Sequence, residues 1–95
     1  MEAKLIVPYL DRDGRVQHLM KRVPLALRPC CGSEVALEPE QRDRSPIACV
    51  KAIKYDCCGC LLIYFNVVKP GSGWFGISHE AFQKAMASWS RVVLV

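Results

Sequence analysis

The sequence predicts an α+β fold: a small, zinc-ribbon-like antiparallel β-sheet with one C-terminal α-helix packed on it. Three observations predict it. Several short segments are rich in β-branched and aromatic residues and are punctuated by Gly- and Pro-containing turns. A later segment combines a capping serine with apolar residues recurring every three to four positions. The unit Cys-Cys-Gly occurs twice, at 30–32 and 57–59, each time followed by strand-like sequence, which is the two-knuckle layout of a ribbon.

Taken in order, "KLIVPYL" (4–10) is built of strand formers, with Pro8 marking an edge or a bend. "DRDG" (11–14) is a turn, and "RVQHLMKRV" (15–23) alternates roughly, so the two segments form a hairpin. "SEVALE" (33–38) is a short strand leaving the first Cys-Cys-Gly, and "PEQRDRSP" (39–46) is a charged loop bounded by prolines. "IACVKAIKY" (47–55) and "LLIYFNVV" (61–68) are the strongest strands, and they flank "DCCGC" as a hairpin tip. "KPGSGWFGI" (69–77) is a glycine-rich loop. Ser78 then caps the helix "HEAFQKAMASWSR", with Glu80 in the first turn and Phe82, Met86 and Trp89 on one apolar stripe. "VVLV" (92–95) reads as a closing strand.

Ninety-five residues suit one domain, 1–95. It divides into an N-terminal hairpin (1–26), a two-knuckle sheet (27–68) and a loop, helix and final strand (69–95). The composition, 52% hydrophobic and 23% charged, is that of a globular chain rather than a disordered one. A net charge of +4 is too small to mark a nucleic-acid binder by itself. "LIVPYL" is too short for a signal-peptide core, and no apolar run approaches a membrane span. A cytoplasmic setting without membrane contact is expected. There, clustered cysteines read as metal ligands or reduced thiols before disulfides.

Cys57-x-x-Cys60 has the spacing of a zinc knuckle, whereas the position three before Cys31 is Arg28 and three before Cys58 is Tyr55. Three readings therefore stand. Zinc is held by Cys57, Cys60 and one or both of Cys30 and Cys31, with Cys49, His18 or His79 as a stand-in. Alternatively the ribbon is degenerate and metal-free, its cysteines buried as small apolar residues. The third is a redox or disulfide role, against which the hairpin setting argues, because no helix N-terminus is present to lower a thiolate pKa. Cys49, inside an apolar strand, is expected in the core.

The order of blocks resembles the Lar family of phage and prophage restriction-alleviation proteins. Leu27, Pro29, Cys31, Gly32 and Ser33 match its first block. Cys58 and Gly59 match the second, and Ala85, Met86, Trp89, Ser90 and Arg91 match its helix block loosely. The likeness spans residues 27–91, and both knuckles are shorter than the family pattern. The resemblance implies a non-enzymatic counter-defence protein acting in the cytoplasm of a bacterial host. It would bind a restriction enzyme or another nucleic-acid-directed complex, including a CRISPR effector.

The residues agree with a binding protein. No phosphate loop, Ser/His/Asp set or His-Glu metal motif is present, so no catalytic residue is assigned. Trp74 and Phe75, set between glycines, are candidate contacts to a protein partner. Arg12, Arg15 and Arg22 form a second candidate contact, to an acidic protein face or to phosphate. A zinc-ribbon nucleic-acid-binding or transcription accessory protein is the alternative class, distinguished by a steep loss of affinity with salt.

Overall fold

The computed structural model describes residues 2–25, 28–40, 45–71 and 77–93. Its elements are β1 (Glu2–Leu10), β2 (Val16–Pro24), β3 (Glu34–Ala36), β4 (Ile47–Tyr55), β5 (Leu61–Phe65), α1 (His79–Ala85) and β6 (Ser90–Val92). The strands form one sheet in the order β3-β4-β5-β1-β2-β6. This is the α+β architecture expected from the sequence, with one refinement. All neighbouring strands are antiparallel except β1 and β5, which run parallel, so the sheet is mixed.

The parallel pair has a simple origin. β1–β2 and β4–β5 are each hairpins, and they join through their most apolar strands. Alternation on β1 sends Ala3, Leu5, Val7 and Tyr9 into the core, and Leu61, Ile63 and Phe65 follow from β5. Placing these two strands side by side at the centre buries the largest continuous apolar surface.

Pro8 is expected on an edge or at a bend, yet β1 is a central strand, paired on both sides. The ladder explains how. Ala3 to Ile6 pair with Leu61 to Tyr64 in constant register, but the next bridge joins Tyr9 to Val68. One extra residue on the β5 side opens the ladder there, so no partner carbonyl is left waiting for the N–H that proline lacks. The Pro8 carbonyl still accepts from Val68 N at 2.9 Å.

α1 covers one face of the sheet. Ser78 caps it as expected, accepting from Ala81 N at 3.1 Å. The helix is shorter than its sequence suggests and ends at Met86, which leaves helical geometry. The apolar stripe nevertheless docks: Phe82, Met86 and Trp89 are all buried, and the Phe82 ring lies 5.1 Å from the Tyr9 ring. Trp89 reaches the core from the turn after the helix, where its N–H bonds the Met86 carbonyl at 3.0 Å.

Candidate interaction face

The two Cys-Cys-Gly units fold differently. In 30–33 the Ser33 N–H returns to the Cys30 carbonyl at 3.0 Å, with Gly32 at φ +88° inside the turn. In 56–60 it is the Gly59 N–H that returns to the Asp56 carbonyl, at 3.1 Å. This second turn has a true structural twin elsewhere, in 11–15. There Gly14 N returns to the Asp11 carbonyl at 3.2 Å, and Asp11 and Arg15 pair through their backbones just as Asp56 and Cys60 do. Each aspartate also folds its carboxylate back over the turn. Asp11 accepts from the amides of Asp13 and Arg15, and Asp56 from those of Cys58 and Cys60, all at 2.8–2.9 Å. The shared motif is Asp-x-x-Gly-x, whose glycines at φ +79° and +80° take the left-handed position that closes the hairpin. Cys57 and Cys58 occupy the exposed central positions of this turn.

These hydrogen bonds favour the ionised carboxylates. The Cys60 amide, with Cys58 and Lys4 behind it, holds the Asp56 carboxyl below its ordinary value, although partial burial works the other way. The Arg15 amide and the Gln17 side chain do the same for Asp11.

The turns holding the cysteines are separated by most of β4. Gly32 bonds Val50, whereas the second turn begins beyond Tyr55, a strand length of roughly 15 Å. A zinc ion needs four sulfurs at about 2.3 Å, hence about 3.8 Å from one another. Cys57 Sγ and Cys58 Sγ, 4.0 Å apart, match one edge of such a tetrahedron. Cys60 Sγ instead approaches the Glu2 carbonyl at 3.7 Å. Among the described residues no group of three or more His, Cys, Asp or Glu side chains is gathered for a metal. The cysteines as placed do not fit one zinc ion. Nor are they core residues: Cys30, Cys31, Cys57 and Cys58 are exposed, while Cys49 and Cys60 are half-buried. Cys49 leaves the core because strand alternation between buried Ala48 and Val50 turns it to the opposite face, where its thiol reaches the Gly32 carbonyl at 3.3 Å.

Trp74 and Phe75 lie outside the described residues; of their described flanks, Gly71 N–H donates to the Ile77 carbonyl at 2.6 Å. The three arginines are not brought together. Arg12 and Arg15 stand at the β1–β2 turn, and Arg12 lies 3.7 Å from Glu80. Arg22 is seven residues further along β2 than Arg15, roughly 20 Å away, and pairs with Glu2 at 3.2 Å.

A different surface gathers chemistry: the sheet face that α1 leaves uncovered. Ile6 has Met20 beside it on β2 and Tyr64 on β5, and Pro8 has His18 beside it. Ala52 lies opposite Tyr64, and Lys54 opposite Leu62. A shift of register between Val50 and Ala52 makes Lys51 an extra residue on β4. Strict alternation would put Lys51 and Lys54 on opposite faces; this bulge puts both on the open one. A concavity of about 250 Å³ results, lined among others by Ile6, Pro8, His18, Lys51, Lys54 and Tyr64. The Lys54 ammonium lies over the Tyr64 ring, 5.6 Å from its centre.

Lys4, Arg22, Lys51 and Lys54 are cations on this face among the described residues. Lys4 is held by Asp56 at 3.4 Å and Arg22 by Glu2. Among the described residues, Lys51 and Lys54 have no carboxylate within ion-pair distance. The meeting of these two lysines is not legible in the sequence, since a bulge is set by cross-strand register rather than by local composition.

No family model, curated protein or solved structure matches this chain.

Proposed function

We propose that this chain is a small counter-defence protein that binds a host restriction or CRISPR-type nucleic-acid-directed complex one-to-one and inhibits it by occupying a surface. The Lar-like order of blocks in residues 27–91 supports the role. The observation that carries the mode of action is the sheet face opposite α1, where half-buried Met20 and Tyr64 flank buried Ile6 beside Lys51 and Lys54, which have no carboxylate partner among the described residues. Apolar contact supplies affinity, and the lysines select an anionic surface of the complex and speed encounter with it. A host complex of this kind works in the bacterial cytoplasm, where six unpaired thiols remain reduced.

Titration against a purified restriction or CRISPR-type nuclease tests the proposal. Cleavage should fall in proportion to added protein and vanish near one equivalent per complex. Lys51→Glu with Lys54→Glu should weaken inhibition at least tenfold while melting stays within a few degrees. Trp74→Ala, measured alongside, decides whether the glycine-rich loop is a second contact. Inactivation at far below one equivalent, persisting after the protein is removed, would mark an enzyme and overturn the proposal.

A further inference from the structure

We infer that the trough on the face opposite α1 binds single-stranded nucleic acid, with a base against Pro8 between His18 and Tyr64 and phosphates on Lys51 and Lys54; this rests on the same face being the contact surface. The first argument is charge. Among the described residues that line the trough, Lys51, Lys54 and His18 are basic side chains and none is a carboxylate. The two ammonium groups have no acidic partner among the described residues, so an anion is the missing counterpart.

The second argument is shape. His18 stands on β2 and Tyr64 on β5, with β1 between them, which puts their strands roughly 10 Å apart. Between the two rings lie Pro8, half-buried and apolar, and Ile6, buried beneath its neighbours. A volume of about 250 Å³ lies below the roughly 300–1,000 Å³ typical of pockets for larger ligands and suits a single base. A duplex keeps its bases inside its stack and cannot lower one into this trough. A single strand can, and stacking on aromatic side chains beside a basic groove is how sequence-tolerant single-strand binding works. An acidic peptide would satisfy the lysines but has no flat face for the His18, Pro8 and Tyr64 surfaces.

Fluorescence anisotropy with a labelled 15-nucleotide oligo(dT), and with a duplex of the same length, tests the inference. The single strand should bind at least tenfold tighter than the duplex and weaken as salt rises. Lys51→Ala with Lys54→Ala should make the log–log salt dependence shallower by about 1.4, two contacts at about 0.7 each for a single strand. Tyr64→Leu should weaken binding tenfold or more at unchanged melting temperature; if that variant unfolds, His18→Ala serves in its place. Equal binding of duplex and single strand, no binding, or a double-lysine variant that binds like the parent overturns the inference. So does displacement of oligo(dT) by polyglutamate at equal charge concentration, which would assign the face to an acidic protein. The nuclease titration separates the two levels. Inhibition lost in the double-lysine variant without any oligonucleotide binding overturns this inference alone, whereas inhibition untouched by that variant overturns the assignment of the face.

Discussion

Trp89 Nε1 donates to Glu38 Oε1 at 2.6 Å, tying the turn after α1 to the segment that follows β3. The same carboxylate oxygen receives Lys21 Nζ at 2.8 Å and Ser88 Oγ at 3.2 Å. Glu38 is a buried charge, and three donors from β2 and the end of the helix segment surround it. One carboxylate thus pins together three stretches of chain far apart in sequence.

Trp89 should therefore matter twice, through its ring and through its N–H. Trp89→Ala should cost about 3–5 kcal/mol by leaving a cavity beside Phe82 and Met86. Trp89→Phe, which keeps most of the ring and removes one charge-assisted hydrogen bond, should cost about 1.5–3 kcal/mol. Urea unfolding measures both. A loss under about 1 kcal/mol for the alanine variant would mean that the indole is not part of the core.

Acid should loosen this junction. Burial alone would push the Glu38 carboxyl up, but hydrogen bonds from Lys21 and Trp89, the Lys21 charge and the Ser88 hydroxyl outweigh it and hold the carboxyl below 4.5. A folded-state value below the unfolded one means stability that is complete above about pH 4.5 and is lost as pH falls through the lower folded value. Asp11 and Asp56, lowered as well, act in the same direction. Melting temperature should stay level toward neutral pH and drop below about pH 4.5. Glu38→Gln should lower the plateau and flatten the acid limb; an unchanged limb would show that other carboxylates set it.

The twin turns should respond alike. Gly14→Ala and Gly59→Ala force a Cβ into left-handed backbone and should each cost about 1–2 kcal/mol. Neither position is crowded, so conformation alone is being tested. Cys57→Ser and Cys58→Ser, at the exposed positions of the same turn, should stay within about 0.5 kcal/mol. A large loss at either cysteine would show that the thiols, not the Asp-x-x-Gly frame, hold the hairpin.

Thiol accessibility gives an independent check. Under native conditions Cys30, Cys31, Cys57 and Cys58 should react quickly with a disulfide reagent, and Cys49 and Cys60 more slowly. Melting temperature should not respond to a chelator. One zinc per chain in a native mass spectrum, with stability lost on chelation, would require the two cysteine turns to move together and would restore the zinc-ribbon reading.

Much of the local structure was legible because it rests on local physics. Ser78 announced a helix start, and its hydroxyl does cap α1. The spacing of Phe82, Met86 and Trp89 announced a buried stripe, which packs as expected even though α1 ends before Trp89. The expected strand 47–55 has the limits of β4, and 15–23 lies within a residue of β2. The paired Cys-Cys-Gly units misled because sequence identity of three residues does not specify a turn. The residue before them does, and only the second unit has an aspartate there.

The chain by itself thus determined an α+β domain, its hairpins and the helix stripe, since capping, alternation and turn chemistry act over a few residues. Tertiary structure alone decided the rest. It set β1 beside β5 in parallel and so brought Pro8 to the middle of the sheet. It set one cysteine turn away from the other. It brought Glu38 under Trp89 across 51 residues, and Lys51 to the same face as Lys54 through a bulge. Each of these depends on cross-strand register or on which faces the helix covers, and those are fixed only when distant apolar surfaces compete for burial.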